Sequence, residues 1–237
     1  MTFQDLNVKV YADGAVIGEM KKAFESGYVK GFTTNPSLMK AAGITDYLGF
    51  AREALAALPD MPISFEVFSE DPQVMEQEAE TIASLGKNVY IKIPILTTDG
   101  KSTTPLISKL SAKGYNLNIT AILTVEQCRE AVDALAPDTN NVISVFAGRI
   151  ADTGRDAMPI LRECRKICDE KPGCELLWAS NRQMYDLIQA DQAGCDIITC
   201  TPAIISKLGN LGKDLYEVSL DTVKAFATDI EALGISI

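Results

Sequence analysis

Short apolar runs alternate along the chain with longer stretches of helical spacing. The runs at 8–12, 29–33, 62–67, 88–93, 115–121, 141–146, 174–179 and 195–199 are short enough to predict strands. Apolar residues at intervals of three and four predict helices near 15–26, 46–57, 72–85, 102–112, 125–135, 156–169, 182–190 and 213–233. Local signals sharpen two of these. Thr124-x-x-Gln127 reads as a capping box. Asp156 as a cap with Pro159 in the first turn opens the next helix, whose stripe is Ile160, Leu161, Cys164, Ile167 and Cys168. Eight strands alternating with helices predict the α/β class, as a single (β/α)8 TIM barrel with 201–237 as a C-terminal helical extension. A doubly wound open sheet is the alternative. With no low-complexity linker and no break in composition, 1–237 reads as one domain.

Residues two apart in a strand share a face. Lys9, Tyr11 and Asp13 oppose Val8, Val10 and Ala12; Ser64 and Glu66 oppose Ile63, Phe65 and Val67. Tyr90 and Lys92 oppose Val89, Ile91 and Ile93, while Asn116, Asn118 and Thr120 oppose Tyr115, Leu117 and Ile119. Later strands end in Ser144 and Phe146, and in Trp178 and Ser180, with Trp178 expected to fill the barrel. Both faces of a parallel sheet are normally buried, so a polar face repeated over five strands predicts a polar barrel interior. Its C-terminal rim is where barrel active sites lie.

Lys92 stands out on that face. Desolvation disfavours a buried ammonium and exposes a nucleophilic amine, which suits Schiff-base chemistry with a carbonyl substrate. The alternative is a strand-end lysine that snorkels into water. Asp13 and Glu66 add carboxylates, and Asn35, Asn118, Thr120 and Ser144 add hydrogen-bonding groups. Arg149 and Arg182 follow the sixth and seventh strands, where two arginines can clamp a phosphate.

Composition narrows the options. Histidine is absent, so Ser-His-Asp and Cys-His catalysis are excluded. The net charge of −10 argues against nucleic acid or an anionic membrane as a partner. The six cysteines form no Cys-x-x-Cys pair and read as reduced core residues rather than zinc ligands. No apolar run is long enough for a membrane span and no signal peptide is visible, so a cytoplasmic protein is expected. Gly100-Lys101-Ser102 lacks the first glycine of a P-loop and reads as a polar loop.

Five segments in order carry a resemblance: Gly31-Phe32-Thr33-Thr34-Asn35-Pro36-Ser37-Leu38, Tyr90-Ile91-Lys92-Ile93-Pro94, Leu117-Asn118-Ile119-Thr120, Ser144-Val145-Phe146-Ala147-Gly148-Arg149-Ile150 and Ala179-Ser180-Asn181-Arg182. Together the chain resembles the transaldolase family, in its short subfamily. That resemblance implies a Schiff base on Lys92, with Asp13 taking the proton whose loss cleaves the carbon–carbon bond. It implies Glu66 and Thr120 as holders of a proton-relaying water, and Asn35 and Asn118 as orienters of a dihydroxyacetone fragment. Ser144 and Phe146 would line the pocket, and Arg149, Ser180 and Arg182 would bind phosphate. No cofactor or metal is implied. The partners would be phosphorylated sugars and other copies of the chain, as a pentamer or decamer. The sequence departs from the family pattern at Val145 and Ala147, and after Ile122, where acceptor specificity is affected before chemistry. The sister aldolase pattern has glutamine where Glu66 stands and tyrosine where Phe146 stands. A transferase is therefore expected first, an aldolase second, and a silent sugar-phosphate-binding barrel third. The last helix carries an apolar stripe of Leu215, Val218, Phe226, Ile230 and Leu233. It is expected either to reach a neighbouring subunit or to close its own barrel.

Overall fold

The computed structural model describes residues 2–137 and 139–234. Eight strands pair in parallel in chain order: β1 (Lys9–Asp13), β2 (Val29–Thr33), β3 (Ile63–Glu66), β4 (Val89–Pro94), β5 (Leu117–Ile122), β6 (Asn141–Val145), β7 (Cys174–Trp178) and β8 (Ile197–Cys200). β8 pairs back onto β1, with Lys9 opposite Ile197 and Ala12 opposite Cys200, so the sheet closes into the expected TIM barrel and the open-sheet alternative falls.

The helices are α1 (Ile17–Glu25), α2 (Pro36–Ala41), α3 (Tyr47–Ala57), α4 (Pro72–Ala83), α5 (Thr104–Ala112), α6 (Val125–Ala134), α7 (Ala147–Ala151), α8 (Met158–Asp169), α9 (Tyr185–Ala193), α10 (Pro202–Ile205) and α11 (Leu215–Leu233). Side-chain caps start many of them. Asp46 accepts from Gly49 N, and Asp71 accepts from Gln73 N and Val74 N. Thr124 and Gln127 form the reciprocal box read from the sequence. In α8 the N-cap is Ala157 and not the expected Asp156, which stands one residue earlier and accepts from Met158 N at 2.9 Å, with Pro159 in the first turn.

Alternation divides the strands as their pattern implied. Phe32, Phe65, Ile91, Ile119 and Ile143 join the core between sheet and helices. Tyr11, Val142, Leu177 and Ile197 make a separate inner cluster, with Tyr90 and Phe146 packed against it. Tyr11 takes the space beside Gly31, where an added Cβ would come within 2.5 Å of the phenol ring. The polar inner residues Asp13, Glu66, Lys92 and Thr120 lie farther along their strands than these plugs, toward the C-terminal rim.

One further expectation needs correction. Trp178 does not fill the barrel; it faces the outer core, while Leu177 and Ala179 point inward. The first part of the 201–237 stretch packs on the barrel. Ile204, Ile205 and Leu208 are buried, and α10 packs on α1, β1 and β8. Only α11 stands clear: every described residue from 211 onward is partly or fully exposed, so the last helix does not close its own barrel. Residues 235–237 of the predicted extension, like Met1 and Asp138 of the predicted domain, lie outside the described residues.

Candidate active site

The C-terminal mouth of the barrel holds a cavity of about 420 Å³ lined by residues from all eight strands or the loops that follow them. Asp13, Asn35, Glu66, Lys92, Thr120, Ser144, Phe146, Arg149, Ser180 and Arg182 all line it. Asn118 lies behind this wall, fully enclosed, where its amide donates to Ser64 Oγ at 2.9 Å and its carbonyl accepts from Ser144 Oγ at 2.7 Å. Asn118 therefore braces Ser144 instead of facing the cavity.

Lys92 is 6% exposed, which overturns the snorkelling alternative. Its Nζ lies 3.0 Å from Glu66 Oε2 and donates to Thr34 O at 3.0 Å. Glu66 and Lys92 are direct cross-strand partners, so the register of β3 on β4 makes this ion pair. A buried pair of this kind offsets the desolvation of each charge, and losing one partner costs about 3–5 kcal/mol.

Asp13 ends β1 opposite Thr33. Thr33 Oγ1 donates to its Oδ1 at 3.0 Å, and Asn35 Nδ2 approaches both carboxylate oxygens at 3.5 and 3.4 Å. Burial raises the Asp13 carboxyl above the usual aspartate range, against the pull of Lys92 and these hydrogen bonds. Asn35 has a second task, since its Oδ1 accepts from Leu38 N and caps α2 ahead of Pro36. Thr120 Oγ1 is buried and makes no hydrogen bond among the described residues. It precedes Ala121, whose φ of 60° is a left-handed conformation one residue before the end of β5. Such backbone costs about 1–3 kcal/mol and concentrates at sites of function.

The arginines form the other pole. Arg149 sits on α7 and Arg182 in the turn before α9, both exposed. Arg182 forks onto Asp152, Nη2 to Oδ2 at 2.6 Å and Nε to Oδ1 at 3.3 Å. Arg182, and more weakly Arg149, hold the Asp152 carboxyl below its usual range. The backbone N–H of Arg182 is fixed by buried Asp186 at 2.6 Å. Ser180 adopts a φ of 62°, which breaks the alternation of β7 and lets Ala179 and Ser180 line the cavity in succession. Gly148 lies against that turn; a Cβ there would stand 1.7 Å from Ser180 O.

Residues 10–237 match the family described as Transaldolase/Fructose-6-phosphate aldolase. The chain belongs to this family. A protein of Sphingopyxis alaskensis named probable transaldolase is 36% identical over 202 residues, which is 85% of this chain and 89% of that protein. One from Dehalococcoides mccartyi with the same name is 34% identical, over 85% of this chain and 90% of its own. A third, from Erythrobacter litoralis, is 32% identical over 97% of this chain and its own full length.

In this family member, three residues at the site escaped the sequence reading. Thr33 and Thr199 share the inner face with Asp13 and were legible only by strand parity, because a strand threonine is otherwise unremarkable. Asp152 follows Arg149 by three positions, a spacing that places both on one side of a helical turn. Among the described residues no group of histidine, cysteine or carboxylate side chains could hold a metal ion, and the six cysteines are free and buried. Among the described residues no helix is long and apolar enough to cross a membrane.

Proposed function

We propose that this protein is a transaldolase, moving a dihydroxyacetone unit between phosphosugars through a Schiff base on Lys92. The donor and acceptor pairs are of the type sedoheptulose 7-phosphate with glyceraldehyde 3-phosphate, giving erythrose 4-phosphate and fructose 6-phosphate. What carries the proposal is a buried amine, paired with one carboxylate and facing a second, in a cavity whose rim bears two arginines.

In this reaction the Lys92 amine adds to the ketose carbonyl, and loss of water gives an imine. Glu66 and Thr120 hold the water that carries protons in and out of that step. Asp13 removes the proton of the hydroxyl beyond the three-carbon unit. The carbon–carbon bond breaks, the electron pair moves into the imine as an enamine, and the aldose phosphate leaves. An acceptor aldehyde then takes the enamine carbon, and hydrolysis frees Lys92. Asn35 and Asn118 orient the three-carbon unit, Asn118 through its hold on Ser144. Ser144 and Phe146 line the pocket, and Arg149, Ser180 and Arg182 bind the phosphate. Proton transfer relies on carboxylates, since the chain has no histidine.

Borohydride added with fructose 6-phosphate is expected to trap an adduct on Lys92. Lys92→Arg keeps the charge but forms no imine, and is expected to give neither adduct nor turnover. An adduct mapped to Lys9 or Lys101 would refute the assignment. The family's description also covers an aldolase. A coupled assay of fructose 6-phosphate with and without erythrose 4-phosphate separates the two. Steady release of glyceraldehyde 3-phosphate without acceptor would identify a lyase.

We also propose a cytoplasmic enzyme of one domain that assembles as a pentamer or decamer, α11 resting on a neighbouring subunit. The exposure of Leu215, Phe226, Ile230 and Leu233 supports this, because a stripe of that size seeks cover.

A further inference from the structure

Threonine hydroxyls stand on both flanks of the Asp13 strand, and one of them touches the Asp13 carboxylate. Thr33 on β2 and Thr199 on β8 sit on either side of β1, and both are buried. Their hydroxyls meet across the inner face of β1, Oγ1 to Oγ1 at 2.5 Å, while Thr33 Oγ1 lies 3.0 Å from Asp13 Oδ1. A hydroxyl has one proton to donate. An ionised Asp13 only accepts, so Thr33 gives its proton to Asp13. Thr33 then accepts from Thr199, and the order Thr199 to Thr33 to Asp13 is the one arrangement that satisfies all three groups.

We propose that Thr199 is a positioning residue for Asp13, acting through Thr33 to favour the ionised carboxylate; this rests on Asp13 being the base of the proposed reaction. Donation to a carboxylate favours its charged form, and a donor that is itself hydrogen-bonded donates more strongly. That pull opposes burial, which drives Asp13 toward its neutral form. The other groups facing Asp13 are Lys92 from β4, which favours the charge, Glu66 from β3, which opposes it, and the Asn35 amide. The Cys200 thiol on β8 lies close enough to feel its charge. Loss of the Thr199 hydroxyl leaves all of these in place. The pair also has a second state. Once Asp13 holds a proton it can donate to Thr33, Thr33 to Thr199, and the Thr199 proton turns into the cavity that Thr199 lines. The chain of hydroxyls follows the proton without any heavy atom moving.

Two measurements test this on the full-length protein. Infrared titration reads the Asp13 carboxyl directly, as the band absent from Asp13→Asn, and needs no turnover. Thr199→Val is expected to move that titration to higher pH, Thr33→Val to move it further, and Thr199→Ser to restore it. In the transfer assay the acid limb of kcat moves the same way. Thr199→Val lowers kcat about two- to tenfold near neutral pH, the net worth of one neutral hydrogen bond, with KM within about twofold. A Thr199→Val carboxyl that titrates with wild type, or a Thr199→Ser displaced as far as Thr199→Val, would overturn the relay. If the wild type proves inactive on phosphosugars, the proposed reaction fails, and the infrared arm still decides the relay alone.

Discussion

Asp13 is held at the expense of the fold. Its buried carboxyl binds a proton more tightly in the native state than in the unfolded chain. As pH rises from the ordinary aspartate range, the unfolded chain ionises first and stability falls until native Asp13 ionises too. Asp13→Asn removes that penalty. It is expected to melt above wild type at pH 7, by a margin that closes as pH falls into the ordinary aspartate range. The same variant should lose about 10²–10⁴-fold in kcat while still forming the borohydride-trapped adduct. Thermal melts across pH and a trapping assay check both halves; an Asp13→Asn enzyme that melts below wild type at pH 7 would mean the hydrogen bonds outweigh burial. Lys92 and Glu66 were legible in the sequence because a charge within an apolar strand is costly to bury and so stands out from its neighbours. Asn118 was legible as a polar inner residue, but its place behind Ser144 depends on side-chain geometry that parity does not carry.

At the scale of elements, the strand pattern predicted the barrel, and the long helices followed from their apolar spacing and caps. The short helices α2, α7 and α10 were not legible, since four to six residues hold too little period to read. β7 misled for a different reason: Leu176, Leu177 and Trp178 are all apolar, so its two faces look alike and only the pairing with β6 and β8 assigns them. The contact between α7 and the turn after β7 is the element-level feature with the most leverage on the proposed phosphate site. Gly148→Ala is expected to push α7 away from Ser180, costing about 1–3 kcal/mol and separating Arg149 from Arg182. Calorimetry should show the lower melting temperature. Kinetics should show KM rising more for phosphorylated sugars than for dihydroxyacetone. An equal rise for both would place the arginines outside phosphate binding.

At the scale of the whole molecule, α11 stands out because all its described residues are exposed. Light scattering on the intact protein is expected to give a closed oligomer, and a truncation ending at Asn210 is expected to give smaller species. A monomeric intact chain would refute the assembly. Such a stripe signals burial from sequence alone, but whether the cover comes from the same chain depends on how far the preceding turn carries the helix from its barrel. The seam between β1 and β8 has its own consequence, in the order of synthesis. Asp13 and Thr33 leave the ribosome well ahead of Thr199. Until β8 is made, β1 is an uncovered edge with its backbone groups open to any passing strand. The aspartate of the candidate site is thus made with the first strand of the barrel but enclosed only with the last, and until then the nascent barrel is open and adhesive.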